Sequence, residues 1–600
     1  MSGATHQSHV MVLGKSKVSL PKPTFTEPWV ANVAMDLHLV AQTYQQRLVQ
    51  ETGEKPRILL LDEETTGIIS LCTTQSSLLK HDIFLVDRLD NATRQKMRHL
   101  GCVCVLRPNN DNITMLVEEL RNPRYANYSL FFTNVIKKSH LERLAEADDN
   151  EAVIRVIEMY CDIFIISKYF FTLNCPNIYG LEAHTWLPDA LDRCVDGLLA
   201  TLLSLKLNPL IRFEASSPMS RKLAQNLQRA IEQQGTLFDF KTSGQQRPVV
   251  LILSRESDPV TPLLTHWTYQ AMVDELIGIR NNRVDLENVQ DVSADLKEVV
   301  LAQDQDQFFA EAMYLNFGDL GARIRDYVSH YQTKTKSNAN IESVADMKRF
   351  VEEFPEFRKL GSNVSKHVSL VGELSRQVDS DKLLDVSEVE QSIASSDSHA
   401  ADLRSIQQLI SDPAIPLLAK YRLVALYSLR YETNSNNQTA ALLALIDQTS
   451  DGDLFLRKAV ENALIFSNSN SRQEDIFGGS SLLSRAQKGF KGLKGVENVY
   501  TQHRPFLGQI IESIAKGKLR RQKYPIHDPG SLPSYLQYGD ELPVPPQLVV
   551  FMIGGATYEE ARLVAEFNSS TPDMKVILGS TSTINSTQLM NTLADLHWAR

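Results

Sequence analysis

The sequence predicts a multidomain α/β protein in which a large, mainly helical insertion interrupts the second of two parallel-sheet domains. The runs Pro248–Leu253 and Leu548–Ile553 are almost entirely apolar and rich in Val, Ile and Leu. Such runs are typical of strands buried on both faces of a parallel sheet. No comparable run occurs between them, where apolar residues recur at helical spacing. Upstream, strand and helix patterns alternate, which indicates a parallel sheet with crossover helices.

A flexible extension and the first α/β domain are predicted at the N-terminal end. Residues 1–34 are polar and contain several prolines, a composition typical of disorder. A helix is predicted from Met35, and residues 35–141 then alternate strands with helices such as Ile113–Leu120. The predicted strands of this domain are Ile58–Leu61, Ile83–Val86, Cys102–Leu106 and Ser129–Phe132.

The second domain is predicted in two parts, residues 142–255 and 545–600. The first part has helical patterns over Glu151–Met159 and Leu191–Leu205. The second part is too short to bury a core of its own, so we expect it to complete the second sheet. The predicted strands of the two parts are Ile163–Ile166, Val249–Leu253, Val549–Ile553 and Lys575–Leu578.

Residues 256–544 are predicted to form the third domain, which is mainly helical and contains a hairpin at about 307–378. A polar break at Gln332–Ser343 separates two amphipathic stretches of this hairpin. Proline removes a backbone donor and clashes with the carbonyl four residues earlier. Pro355 is therefore predicted to bend or end the helix that contains it. A loop is predicted at 379–401, where serine and aspartate are frequent.

Bulk composition argues against several classes of protein. The 600 residues are 43% apolar and 22% charged, which is ordinary for a folded chain of roughly three or four domains. The formal net charge of −10 disfavours nucleic-acid binding, and no apolar run reaches the roughly 18 residues that span a bilayer. The six cysteines show no CxxC spacing, and no secretory apolar region is present. A reducing, cytoplasmic compartment is therefore expected.

The search for catalytic motifs favours a protein without enzymatic activity. Gly14-Lys15-Ser16 lacks the earlier glycine that a phosphate-binding loop requires. No HExxH, GxSxG or zinc-spaced Cys/His set occurs. Asp62-Glu63-Glu64 follows a strand and is interpreted as a helix cap rather than a metal site. Cys102 and Cys104 share one strand face and are interpreted as core residues, so no cofactor or metal is expected.

Two other functions stay open on these residues alone. An α/β enzyme acting on a phosphorylated small molecule, with the helical insertion as a lid, would use the same fold. A membrane-tethering subunit would use Lys488, Lys491 and Lys494, in a predicted mobile loop at 467–498, as a lipid contact.

Long motifs in the chain resemble the SM family, the Sec-one/Munc-eighteen-like regulators of SNARE assembly. The segment Leu253-Ser-Arg255-Glu-Ser-Asp258-Pro-Val-Thr261-Pro262, continuing to Tyr269, resembles the family signature, with Ser254 in place of the usual aspartate. Further similar stretches lie in order along the chain from about Met35: Leu59–Ile68, Arg124–Asn134, Leu144–Asp148, Glu497–His503, Gly554–Ala561 and Leu578–Thr581. The resemblance implies an arch of three domains and no enzymatic activity.

The same resemblance implies two SNARE-binding surfaces. The N-terminal peptide of a syntaxin-like Qa-SNARE is expected in a groove on the first domain formed by Ile113, Leu116, Val117, Leu120 and Phe132. The hairpin is expected to template SNARE helices, with Pro355 as its hinge and Val364 and Val368 as R-SNARE contacts. The structural signature comprises Arg255, Asp258, Pro259, Thr261, Pro262 and Tyr269.

The function that the resemblance implies is regulation of vesicle fusion in the endosomal, trans-Golgi or vacuolar pathway. The expected partners are the N-terminal peptide and helical part of a Qa-SNARE, the R-SNARE and the assembled SNARE bundle. A Rab effector is a further partner class left open, and no nucleic acid is expected. We expect a monomer that reaches membranes through its partners.

Overall fold

The computed structural model describes most of the chain beyond residue 34. The described ranges are 35–50, 56–240, 246–289, 292–339, 344–396, 398–469, 472, 476–477, 500, 502–528 and 543–598. The predicted extension 1–34 and most of the predicted loop 467–498 lie outside the described residues, so both stay predictions. Within those ranges, no helix combines the length and the apolarity needed to cross a membrane.

The first domain is a fully parallel sheet of five strands, in the order β2-β1-β3-β4-β5. Apolar side chains of its central strands are buried on both faces beneath the connecting helices. In chain order the elements are α1 (Leu37–Gln50), β1 (Arg57–Leu61), α2 (Glu63–Cys72), α3 (Gln75–Lys80), β2 (Ile83–Arg88), β3 (Met97–Leu106), α4 (Asn110–Arg121), β4 (Tyr125–Phe132), α5 (Lys138–Ala147) and β5 (Val153–Glu158).

Two predictions for this region are wrong. The segment Glu151–Met159, predicted to be helical, contains strand β5, which pairs in parallel with β4. Its valines at 153 and 156 have a helical spacing, but β-branched residues also favour a strand. The domain boundary predicted after residue 141 therefore falls inside the first sheet, which continues to Glu158.

The second domain begins with short strands that the sequence pattern indicated only in part. Strand β6 was predicted. Strand β7 has only three residues, and the charged Arg212 interrupts the apolar run of β8, so neither shows a clear strand pattern. The elements up to the insertion are β6 (Phe164–Ser167), β7 (Phe170–Thr172), α6 (Pro188–Leu205), β8 (Leu210–Phe213), α7 (Pro218–Gln233) and β9 (Val249–Ser254).

The insertion that follows β9 is mainly helical, as predicted. Helix α14 is buried nearly all round and forms the centre of this module. The elements are α8 (Tyr269–Leu276), β10 (Arg283–Asp285), β11 (Glu298–Val300), α9 (Gln307–Ala312), α10 (Phe317–Ala339), α11 (Val344–Ser380), α12 (Leu383–Ser395), α13 (His399–Ser411), α14 (Leu417–Arg430), α15 (Thr439–Thr449), α16 (Leu454–Phe466) and α17 (Phe506–Ala515).

The C-terminal segment completes the second sheet, as predicted. Its elements are β12 (Gln547–Ile553), α18 (Tyr558–Ser570), β13 (Lys575–Ser580) and α19 (Ser586–Asp595). The sheet has the order β6-β7-β13-β12-β9-β8, and β12 pairs in parallel with β9, with Leu548 opposite Val249. The chain therefore leaves the sheet after β9 and returns in the neighbouring strand.

The hairpin consists of α10 and α11, and two details of its prediction are wrong. Helix α10 continues to Ala339, so most of the predicted polar break is helical. Helix α11 continues through Pro355, so the proline does not end the helix, because a long helix tolerates the loss of one backbone hydrogen bond. A bend at Pro355, the other predicted effect, stays a prediction. The loop predicted at 379–401 contains helix α12, whose Val386 and Ile393 are fully buried.

The first and second domains share one apolar core. Helix α1 packs between them, and a single cluster contains Leu37, Leu59 and Val103 together with Phe171 and Ile577 of the second sheet. Separating the two sheets would expose this apolar surface to water, which is unfavourable. The two domains therefore form one body.

Candidate functional site

The five residues predicted to line a peptide groove all lie in the core of the first domain. Ile113, Leu116, Leu120 and Phe132 are each 0% exposed, whereas Val117 is 8% exposed. All five pack in one cluster beneath α4. Of this set, only Val117 reaches the surface. An apolar stripe has the same spacing whether it faces a core or a groove, so the sequence pattern could not separate these two cases.

Other apolar side chains lie at the surface above this core. Met115 on α4 and Leu141 on α5 are partly buried against the same cluster. On the edge strand β5, Ile154 is 54% exposed, at an irregularity in the pairing of β5 with β4. We call Val117 on α4 and Leu141 on α5 the α4–α5 surface. Sequence interpretation missed Leu141, because partial exposure depends on the packing of α4 against α5.

At the carboxyl edge of the first sheet, where open α/β sheets bind ligands, the polar side chains bind one another. Arg107 Nε donates to Asp162 Oδ1 at 2.9 Å, and its Nη1 donates to Glu64 Oε1 at 2.9 Å. Asp62 caps α2 by accepting from Thr65 N at 2.7 Å, as predicted, and also accepts from Arg107 N at 2.7 Å. This edge is therefore a structural joint to the second domain.

A cleft of about 1100 Å³ opens at the carboxyl edge of the second sheet, against the insertion. Asn174, Arg280, Asn281 and Gln588 are among its lining residues. Apolar side chains such as Ile178, Ile279 and Ile584 line the cleft as well, so its lining is mixed.

The signature segment forms the junction between the insertion and the second sheet. All six signature residues are buried, and Arg255 is 0% exposed. Arg255 Nη2 donates to Glu560 Oε2 at 2.6 Å and to the Gly555 carbonyl at 2.9 Å, while Nη1 donates to the Asp258 carbonyl at 3.1 Å. The guanidinium thus ties the end of β9 to the start of α18, across the point where the chain returns.

Asp258 fixes the entry of the insertion to its last helix. Its Oδ1 accepts from Thr261 N at 3.0 Å and its Oδ2 from Thr261 Oγ1 at 2.6 Å, so the carboxylate stabilises the turn that follows it. Oδ2 also accepts from Phe506 N, at the start of α17, at 3.2 Å. Burial alone would raise the pKa of Asp258, but Arg255 and the other partners lower it below its usual value. The carboxylate therefore stays charged.

A second buried ion-pair cluster, which sequence interpretation missed, joins the insertion to the C-terminal segment. Arg422 on α14 donates to Glu390 Oε1 at 2.5 Å and to Glu275 Oε1 at 2.8 Å. It also donates to Ser586 Oγ at 2.8 Å, at the start of α19. No motif indicates this cluster, because its members are far apart in the sequence.

Glu214, next to the signature segment, is a buried acid with a strongly raised pKa. Its Oε2 accepts from Ser254 N at 3.0 Å, and its Oε1 accepts from the Ser257 hydroxyl. Burial raises the pKa of Glu214 from 4.5 to about 7, against these hydrogen bonds, which lower it. Ser254 contributes its backbone amide to Glu214 and brings no second carboxylate to this position.

We expect folding stability to fall as pH rises towards and through neutrality, because folded Glu214 holds its proton more tightly than the unfolded chain. The stabilisation is present at low pH and is lost as pH rises through about 7. Between pH 6 and pH 8 the loss amounts to about 1 kcal/mol. Chemical denaturation at both pH values should show this loss in the wild type and a clearly smaller one in Glu214→Gln. Equal losses in both proteins would contradict the assignment.

The predicted hairpin contacts differ in exposure. Val368 is 44% exposed on α11, as a binding residue should be, but Val364 is only 7% exposed. Val364 is therefore buried and is not an accessible contact in this conformation. Rings of Tyr331 and Phe357 stack at 5.4 Å and hold α10 against α11.

Comparison with known proteins decides the family. The Sec1 family profile matches residues 57–592. The chain belongs to the Sec1 (SM) family.

Among the residues described, no cluster of three or more His, Cys, Asp or Glu side chains could hold a metal ion.

Relatives within the SM family are similar over nearly the whole chain. Vacuolar protein sorting-associated protein 45 of Schizosaccharomyces pombe is 44% identical, covering 92% of this chain and 98% of the relative. The Rattus norvegicus protein of the same name is 41% identical, covering 92% and 95%. The solved structure of the SM protein Vps45 in complex with the Qa SNARE Tlg2 (1-310) has a TM-score of 0.85 and 46% identity, covering 94% of this chain and 98% of that one. The mixed α/β architecture is therefore the SM fold.

Proposed function

We propose that this protein is an SM regulator that binds a syntaxin-like Qa-SNARE and templates SNARE-complex assembly. The observation that supports this most is the full-length similarity to Vps45, whose solved structure contains the Qa SNARE Tlg2. The proposal includes action as a monomer on the cytoplasmic side of endosomal, trans-Golgi or vacuolar membranes, through its partners. A Rab effector remains a further proposed partner.

The proposal excludes catalysis. The Arg107 contacts with Asp162 and Glu64 occupy the edge of the first sheet where a phosphorylated ligand would otherwise bind. The alternative of an enzyme with a helical lid therefore has less support than a binding protein. Calorimetry with ATP, GTP and NAD should show no binding, and tight binding of any of them would favour the enzyme instead.

The Qa-SNARE N-terminal peptide is proposed to bind the α4–α5 surface. Val117 on α4 lies at the edge of the core, and Leu141 on the neighbouring helix α5 is partly buried against the same core. A short peptide can anchor itself by packing an apolar side chain against such groups. Charged residues at the centre of this surface should therefore prevent binding.

Binding to a panel of Qa-SNAREs, each with and without its N-terminal peptide, tests the function and this surface together. The cognate Qa-SNARE should bind, and removal of its peptide should weaken binding. Val117→Arg should weaken peptide binding at least about tenfold, because the bound peptide would cover the guanidinium and remove it from water. Isothermal titration with the peptide measures this effect.

Glu118→Arg is the matched control, since it places the same residue at an exposed position of α4. It should bind the peptide like the wild type. Leu116→Arg does not test the surface, because Leu116 is fully buried and the substitution should unfold the domain. Normal binding by a folded Val117→Arg protein would refute the assignment of the α4–α5 surface, while failure of every Qa-SNARE to bind would refute the function.

R-SNARE binding is proposed for the exposed side of α11 around Val368. The exposed valine gives an apolar contact on a helix that is long enough to pair with a SNARE helix.

A further inference from the structure

The base of the hairpin contains a buried polar network centred on Asp306. His367 Nε2 lies 2.9 Å from Asp306 Oδ2, and the Tyr269 hydroxyl lies 2.8 Å from His367 Nδ1. The Lys366 ammonium donates to the same Asp306 oxygen. The side chains of Asp306 and His367 are 4% and 0% exposed. Water therefore has little access to this network, and its members depend on one another.

The direction of each hydrogen bond follows from the charge on Asp306. Burial alone would raise the pKa of Asp306, but the hydrogen bond from His367 and the nearby Lys366 charge lower it below its usual value. A carboxylate can only accept, so His367 Nε2 carries the hydrogen that Asp306 accepts. Burial lowers the pKa of His367, so the ring is neutral at physiological pH. Its Nδ1 is then the acceptor, and the Tyr269 hydroxyl is the donor.

This network joins four separate segments of the insertion. Asp306 Oδ1 accepts from Phe309 N at 3.1 Å and caps α9. Lys366 on α11 donates to the Val300 carbonyl of β11 at 3.1 Å. Tyr269, the last of the signature residues, begins α8. The signature segment is thus connected to the hairpin by a network that includes charge-assisted hydrogen bonds, which are stronger than neutral ones.

The network also determines which side of α11 faces solvent. His367 is 0% exposed and its neighbour Val368 is 44% exposed. Consecutive helical residues point about 100° apart, so the inward direction of His367 sets the direction in which Val368 points, and Val368 lies at the surface. Phe308 confines the imidazole, with ring centroids 4.5 Å apart.

We propose that Tyr269, Asp306 and His367 are positioning residues that fix the rotation of α11 and thereby present the Val368 side of the hairpin to a SNARE helix. The part of this proposal that concerns SNARE binding rests on the proposed function. The part that concerns the attachment of α11 to the rest of the insertion is independent of any partner. None of the three residues needs to touch the SNARE.

Tyr269→Phe provides the sharpest test, because it removes one hydrogen-bond donor without changing side-chain volume. Amide hydrogen exchange should become about tenfold faster in residues 357–380, since loss of a buried hydrogen bond to this network weakens the attachment of α11. The R-SNARE dissociation constant should rise about fivefold to tenfold, while affinity for the Qa-SNARE N-terminal peptide stays unchanged. A general loss of stability would not be expected to weaken R-SNARE binding while leaving binding of the Qa-SNARE peptide unchanged.

Tyr44→Phe is the matched control. Its buried hydroxyl is also hydrogen-bonded, to the Tyr160 carbonyl at 3.0 Å and to Ser204 Oγ at 2.7 Å, but it lies between α1 and α6. It should leave hydrogen exchange in α11 and R-SNARE affinity unchanged. Asp306→Asn is the second variant: it retains an oxygen to cap α9, loses the charge, and should produce the same split as Tyr269→Phe.

Unchanged exchange in α11 of both Tyr269→Phe and Asp306→Asn would overturn the positioning role. Equal effects of Tyr269→Phe and Tyr44→Phe on R-SNARE binding would overturn it too. If wild-type protein binds no R-SNARE, the proposed function of the hairpin fails, whereas the exchange measurement still decides whether the network holds α11.

Discussion

Replacing Arg255 with alanine is expected to lower the free energy of unfolding by about 3–5 kcal/mol. Both Arg255 and its partner Glu560 have side chains that are 0% exposed. Loss of the guanidinium leaves the Glu560 carboxylate buried without its counter-charge and removes the donors to the Gly555 carbonyl. Equilibrium unfolding in urea measures the change.

The control is Arg283→Ala in β10. Arg283 pairs with Glu298 at the surface, and such pairs contribute at most about 1 kcal/mol. The double variant Arg255→Ala/Glu560→Gln should recover part of the lost stability, because it removes the unpaired charge. If Arg255→Ala costs no more than Arg283→Ala, the buried pair is not what joins the insertion to the second sheet.

Pro355→Ala is expected to strengthen R-SNARE binding and to accelerate SNARE-complex assembly. Helix α11 already runs through position 355, so the proline acts within a formed helix. Proline there costs up to about 3 kcal/mol relative to alanine. Alanine restores an amide that can donate to the carbonyl four residues earlier, which stabilises the extended helix. A ligand that binds only this form gains apparent affinity when its population rises.

Surface-based kinetics with the R-SNARE measure the change, and Val368→Arg should weaken binding and slow assembly. Pro188→Ala is a suitable control, because Pro188 is the first residue of α6, where proline is well tolerated. Unchanged or weaker R-SNARE binding by a folded Pro355→Ala protein would show that this proline does not control the hairpin.

Much of the fold could be predicted, because buried parallel strands have an apolar sequence pattern that can be recognised without knowledge of tertiary contacts. Val249–Leu253 and Val549–Ile553 were assigned as strands from their apolar runs, and the structure pairs them. Strand β5 was missed because valines at 153 and 156 fit a helix equally well. Pro355 was predicted from local chemistry alone to bend or end a helix, and the helix does not end there, because cooperative helix formation on both sides outweighs one lost hydrogen bond.

The candidate sites were harder to predict from the sequence than the fold. Helical spacing of Ile113, Leu116 and Leu120 identifies an apolar face, but burial depends on what covers that face. Arg255 was recognised within a motif, yet its partner Glu560 becomes a neighbour only when β12 pairs with β9. Contacts of this kind depend on topology, which no local pattern specifies.

The position of β12 and β13 in the middle of the second sheet has a consequence for synthesis of the chain. Before residues 547–580 are translated, β6–β7 and β8–β9 are two separate strand pairs, since the strands that bridge them come last. The nascent chain thus carries the free edge of β9, with Val250 and Ile252 in it, while the ribosome makes the whole insertion. An exposed apolar edge strand invites aggregation. A premature stop codon that removes this short tail would therefore delete the centre of the sheet, not an appendage.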